Sequence, residues 1–203
     1  MPERFTPDRR SFLLFGGVAA LAAVAACGSD SDDDEAAATS TTNAPRAADV
    51  MLLRTASSIE ELEVALCQRA IDGSFVKTAG LGDTIKLLQS QHKQHAAVFQ
   101  GHTTRLGGEP FTQPNPALSP QLLPRVIDEG SLLRALFDLT QVAAATYQAG
   151  VGSVGDNQLN VILMSVAGVE ARQAALLGTM INQPAATASL ATTQKAVAPG
   201  TGL

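Results

Sequence analysis

Tryptophan is absent from this 203-residue chain, tyrosine occurs once, at Tyr147, and histidine three times, at His92, His95 and His102. With so few aromatic residues and with Ala and Leu abundant, the composition favours helices over strands. Cysteine is nearly missing too: Cys27 and Cys67 are the only two. If Cys27 belongs to a leader, no internal disulfide framework can form around Cys67 alone. There is no basic excess either, the formal net charge being −5, and from residue 47 onward ten Lys and Arg face twelve Asp and Glu. That balance lacks the electrostatic footprint of a nucleic-acid binder, so nucleic acid is not an expected partner. No serine, cysteine or lysine has a partnering base to activate it, because every histidine lies within one short stretch, "LLQSQHKQHAAVFQGH".

Long apolar runs are scarce as well. The one near the N-terminus, residues 12–26, spans only fifteen positions, short of the roughly 20 that a membrane-spanning helix needs. Arg9 and Arg10 stand just before it in "DRRSFLL", a pattern that resembles a twin-arginine export signal. The run closes on "VAAC", which resembles a lipobox and implies acyl chains on Cys27. Two or more chains suffice for stable anchoring. Residues 1–26 are therefore expected to be an export signal, with the protein exported and held by lipidated Cys27 to the outer face of the cytoplasmic membrane. Residues 27–48, with five acids in six positions from Asp30 to Glu35, cannot bury enough apolar surface to fold and are expected to be a disordered acidic tether. The Ala- and Thr-rich residues 184–203 are expected to be a disordered tail.

Between these lies one domain's worth of chain, residues 49–183. Four segments carry a 3.6-residue apolar period. In the first, about 49–73, the line runs Leu53, Ala56, Glu60, Val64, Cys67, Ile71. In the second, about 80–106, it runs Leu81, Ile85, Leu88, His92, His95, Phe99, His102, Leu106. The third, about 121–150, gives Leu133, Phe137, Thr140, Ala144, Tyr147, Val151. The fourth, about 156–182, gives Leu159, Leu163, Val166, Glu170, Gln173, Leu177, Met180. Each stripe is apolar except near its middle, and four interruptions at similar heights point to one shared polar site.

Counting outward from the turns supports the common height. Glu60 and His92 lie sixteen residues either side of Val76, and Thr140 and Glu170 lie fourteen and sixteen from Val154. At about 1.5 Å of rise per residue, each pair meets at nearly one level in an antiparallel hairpin. The proline-rich "GGEPFTQPNPALSPQ" is long enough to cross over along a bundle. The expected fold is thus all-α: an antiparallel four-helix bundle of two helical hairpins joined by a long crossover.

The stretches "LLRTASSIEELEVALCQ", "QSQHKQHAAVF", "LTQVAAATYQAGVG" and "VEARQAALL" resemble the ferritin-like superfamily, in particular its exported bacterial branch. That resemblance implies a metal centre with one carboxylate on each of two helices and a Glu-x-x-His pair on each of the other two. Glu60 matches the first carboxylate, Glu170 opens the fourth-helix pair and His95 matches the second-helix histidine. His92 stands where that pair has its glutamate, Thr140 where the third helix has its acid, and Gln173 where the fourth helix has its histidine. Two carboxylates and two imidazoles remain, a thinner shell for two cations.

The resemblance therefore implies a degenerate di-metal site, with a non-catalytic binding or interaction role in which a protein partner or a homo-oligomer is unidentified. The alternative is a redox or metal-handling protein in which Glu60, His92, His95 and Glu170 hold one transition-metal ion, iron, manganese or zinc. Whether the protein is an enzyme stays open. His102 lies about 10 Å beyond His95 along the axis and falls outside the centre. "GVGSVG" matches a phosphate-cradling pattern, yet a helix precedes it where that pattern needs a strand, so a helix-ending turn accounts for it. Cys67 is expected to be a buried, inert thiol. In "EELE", Glu61 is expected in solvent and Glu63 near the boundary, with only Glu60 inside.

Overall fold

The computed structural model describes residues 43–184 and 192–203, and the export signal, Cys27 and most of the acidic segment lie outside them. Its helices are α1 (Asn43–Gly73), α2 (Leu81–Arg105), the short α3 (Ser119–Leu122), α4 (Glu129–Gly150) and α5 (Asn157–Met180). Two 3-10 turns, Leu123–Arg125 and Thr193–Lys195, complete the secondary structure, and no strand occurs among the described residues.

Helix α1 buries Leu53, Ala56, Ile59, Leu62, Leu66 and Ala70, a set too wide for one stripe. It is wide because α1 packs both on its hairpin partner α2 and on α4. The line expected for α1 therefore shifts at its end, where Ile71 is exposed and Ala70 is buried. Helices α4 and α5 form the second hairpin. Leu52 lies against Gly150, where an added Cβ would come within 2.6 Å of its Cδ2, and Glu63 meets Thr140, so α1 and α4 run antiparallel. Phe99 of α2 and Tyr147 of α4, both fully buried, pack with ring centroids 5.1 Å apart and planes tilted by 55°, and tie the two hairpins together. Helix α5 is long and apolar enough to cross a membrane by length and composition. Its Leu159, Leu163, Glu170 and Leu177 nevertheless face the bundle interior, which makes it a core helix here.

The ends are set by local chemistry. Asp128 caps α4 with Ser131 in a capping box, and Asp156 caps α5 by accepting from the Gln158 N–H; such caps satisfy donors that the first turn leaves free. Gly152, at φ +80°, takes the left-handed conformation in the α4–α5 turn. "GVGSVG" is thus the end of a helix and a turn, as expected. The crossover, residues 106–128, is pinned along α1: Ser57 Oγ donates to Phe111 O, the Asn115 N–H to Ser58 O, and Arg69 Nε to Val126 O. From Ser57 to Arg69 this spans roughly 18 Å at 1.5 Å per residue.

Three boundaries differ from expectation. Helix α1 begins at Asn43, six residues inside the expected tether. The third long helix begins at Glu129, not near 121, because Pro120 and Pro124 limit the preceding chain to short turns and Asp128 supplies the cap. The tail expected to be disordered is packed from Thr192 on. Val197 N donates to Thr146 Oγ1, Gly200 N to Thr55 Oγ1, and buried Asn115 gives its side-chain amide to Thr201 O. Polar backbone in a low-complexity segment thus finds partners that hydropathy cannot reveal. Deleting residues 192–203 removes these three bonds at about 1 kcal/mol each, and a loss of about 2–4 kcal/mol in urea unfolding is expected.

Candidate metal centre

Four helices deliver polar side chains to one level of the bundle. Glu60 and Glu63 come from α1, His92 and His95 from α2, Thr140 and Tyr147 from α4, and Glu170 from α5. All are buried except His95, whose side chain keeps 12% of its surface exposed. The expected quartet is assembled: one ligand atom from each of Glu60, His92, His95 and Glu170 lies within 4.8 Å of the other three.

Glu60 is the hub. Its Oε1 accepts from the Tyr147 hydroxyl at 2.7 Å, and its Oε2 lies 2.8 Å from His92 Nδ1 and 3.4 Å from His95 Nδ1. With a proton on Nδ1, His92 donates to Glu60. His95 Nδ1 lies 3.0 Å from Glu170 Oε1, yet neither atom makes an aligned hydrogen bond. The two imidazole rings stand nearly perpendicular, with centroids 6.0 Å apart.

The electrostatics follow from burial and its compensation. Burial pushes the Glu60 carboxyl up, but the hydrogen bond from His92, the nearby His95 and their positive charges outweigh it and leave the group below its ordinary value. Glu170 is pushed up to about 8, by burial first and then by the charge of Glu60, against the opposing pull of His95. Glu63 is raised well above the usual range, with burial again the main cause. Burial works against a charged His95, but the close carboxylates of Glu170 and Glu60 raise it to about 10. His92 also rises, since the charge of Glu63 and the bond to Glu60 overcome desolvation. Tyr147 is driven far up by burial and the surrounding carboxylates, so it stays a donor.

The donor set fits a transition-metal ion. Metal bonds of about 2.0–2.2 Å to imidazole nitrogen and carboxylate oxygen place neighbouring ligand atoms about 3 Å apart, close to the 3.0 Å between His95 Nδ1 and Glu170 Oε1. Both Glu170 oxygens and His95 Nδ1 are buried without a hydrogen-bond partner. Buried polar atoms are normally paired, and a cation gives all three a shared partner that no protein donor supplies.

The substituted positions keep their places but carry neither an acid nor an imidazole. Thr140 donates to Glu63 Oε1 at 2.9 Å. Gln173, buried on α5, gives its amide to Gln91 on α2. His102 lies at the end of α2, where its Nδ1 accepts from Arg105 Nε at 3.2 Å, outside the centre as expected. Cys67 is buried, and burial together with the charge of Glu63 pushes its thiol up, so it is inert. Glu61 is partly covered and accepts from Gln100 at 2.9 Å.

Glu63 is the correction: expected at the boundary, it is fully buried with Oε2 3.1 Å from His92 Nδ1. A single-stripe reading of α1 loses it because that helix faces two neighbours. Its i, i+3 spacing from Glu60 was the available signal, since both then share a face. Tyr147, read as a stripe residue, also proves to be a partner of the hub carboxylate.

An antiparallel bundle with carboxylates and imidazoles meeting at mid-height defines the class of helical proteins that build metal centres in their cores. A family model described as a ferritin-like domain matches residues 48–183, and the chain belongs to that family. No curated protein and no solved structure matches it.

The raised groups set the pH response of the metal-free protein. A folded-state value above the unfolded one means that the native state holds the proton more tightly, so stability is lost as pH rises through that interval. For Glu170 the loss runs from about 4.5 to about 8, and for His95 from about 6.5 to about 10. Metal-free protein should therefore melt at a higher temperature at pH 6 than at pH 9. His95→Gln should flatten the upper part of that fall in calorimetric scans.

Proposed function

We propose that the protein is an exported, lipid-anchored metal-binding protein whose bundle holds one transition-metal ion, iron, manganese or zinc, through Glu60, His92, His95 and Glu170. The observation that carries this reading is that His95 Nδ1 meets Glu170 Oε1 at 3.0 Å beside the hub carboxylate, while His95 Nδ1 and both Glu170 oxygens are buried without hydrogen-bond partners. Two imidazoles with two carboxylates suit these ions better than soft, thiolate-seeking ones. The role is binding or metal handling, because the third long helix offers the Thr140 hydroxyl where the family has an acid, and that hydroxyl donates to Glu63, while the fourth offers Gln173 where the family has a histidine.

The bound ion would supply Lewis acidity or, for iron and manganese, one-electron chemistry. The chain's own groups do the positioning. Tyr147 orients Glu60 through a hydrogen bond of 2.7 Å and stays protonated while doing so. In the metal-free protein Glu60 also holds His92 in place through Nδ1, a bond that coordination through that nitrogen would replace. His95 is the one ligand with an exposed edge, and Gln91 and Gln173 pair beside it between α2 and α5. An ion therefore reaches the centre along the α2–α5 seam.

Anchoring rests on Arg9 and Arg10, the apolar run 12–26 and Cys27. Two measurements test the two halves of the proposal. Elemental analysis of the full chain in detergent, purified without chelator or histidine tag, should find about one equivalent of transition metal, absent from His95→Ala. A chain that stays empty after iron, manganese and zinc are offered would leave the quartet as a hydrogen-bonded network only. Cys27→Ala should move the protein from the membrane fraction to the soluble one; unchanged fractionation would refute the lipid anchor.

A further inference from the structure

Glu63 presents a carboxylate for which the bundle has only half a use. The side chain has no exposed surface. Its Oε1 accepts the Thr140 hydroxyl at 2.9 Å, whereas its Oε2, also buried, has no hydrogen-bond partner. That oxygen lies 3.1 Å from His92 Nδ1. The ring nitrogen carries at most one proton, and Glu60 Oε2, nearer at 2.8 Å, receives it. Two carboxylate oxygens thus flank a nitrogen able to satisfy one of them.

An unpaired carboxylate oxygen inside a bundle is costly. A separation of about 3 Å between an imidazole nitrogen and a carboxylate oxygen that make no hydrogen bond to each other is the spacing of two ligands on one cation. Glu63 lies one helical turn from Glu60 on the same face of α1, so a single helix can aim both acids at the centre. Helix α4 supplies no carboxylate there. It supplies the Thr140 hydroxyl, which takes up Oε1 and leaves Oε2 turned toward His92.

Building on the metal-binding reading above, we infer that Glu63 is a fifth ligand of the centre, on the His92 side, and that Thr140 is its positioning residue. The site then has three carboxylates and two imidazoles drawn from three helices, with α4 acting through a hydroxyl.

The test uses cobalt(II), whose visible bands report ligand number, with affinities from zinc competition on the full chain in detergent. Outer-shell changes cost about 10- to 100-fold in metal affinity, so loss of a ligand should exceed that range. Glu63→Gln keeps the acceptor for Thr140 but loses the charge. It should weaken cobalt binding by more than about a hundredfold and alter the bands, while the metal-free protein melts no lower than wild type. Thr140→Val should weaken binding by about 10- to 100-fold, and Thr140→Ser should restore it. If Glu63→Gln does not fold, the two Thr140 variants carry the test, since they leave every carboxylate in place. Affinity and bands unchanged in Glu63→Gln, or in Thr140→Val, would overturn the assignment while leaving the four-residue site standing. No cobalt uptake by wild type would overturn both readings, a result distinct from uptake that only His95→Ala abolishes.

Discussion

Three carboxylates and two imidazoles share one buried level of the bundle, and the rest of the bundle is organised around keeping them there. Moving one carboxylate from water into such a setting costs several kcal/mol even after relaxation, unless partners compensate. The compensation is uneven. Glu60 receives Tyr147 on one oxygen and His92 on the other and stays ionised. Glu63 and Glu170, with fewer donors, are pushed toward the protonated form. The site is thus one fixed anion flanked by two acids that hold protons until something else offers positive charge.

The scaffold restrains the fixed side most. Helix α1, which bears Glu60 and Glu63, is gripped by the crossover through Ser57, Ser58 and Arg69 and by the C-terminal segment through Thr55. It also packs on two helices, and Phe99 against Tyr147 sets the distance from α2 to α4 beside the hub. By contrast, Glu170 on α5 has neither oxygen in a hydrogen bond. A rigid anion facing an unsecured one is an arrangement that can close on a cation without rebuilding the core.

Much of this was legible in the sequence, for reasons particular residues make clear. The stripes in α2 and α5 work because each helix turns one main face inward, so His92, His95 and Glu170 fell on their lines and at a common height. The crossover was visible because four prolines within fifteen residues forbid a long helix. Glu63 was missed because α1 buries two faces, and a line drawn through Glu60 discards its neighbour one turn away. The C-terminal segment was missed because its anchors are backbone N–H groups donating to Thr55 and Thr146 and a single apolar side chain, Val197, packed on the core, too little to mark a low-complexity stretch as ordered. Cys27 and the export signal rest on motif order alone.

Charge arithmetic at the centre bears on which ion the site would hold. Imidazoles must be neutral to coordinate a metal, so a divalent ion facing three ionised carboxylates leaves one negative charge buried, and a trivalent ion leaves none. In the metal-free site burial biases Glu63 and Glu170 toward the protonated form, while the carboxylates bias the histidines toward the charged one. Binding a cation must therefore expel protons. A divalent ion can leave one proton on Glu63 or Glu170, whereas a trivalent ion is neutralised only when both are ionised. The balance between oxidation states then turns on how strongly burial holds that last proton, which is set by the apolar walls around the site as much as by its ligands.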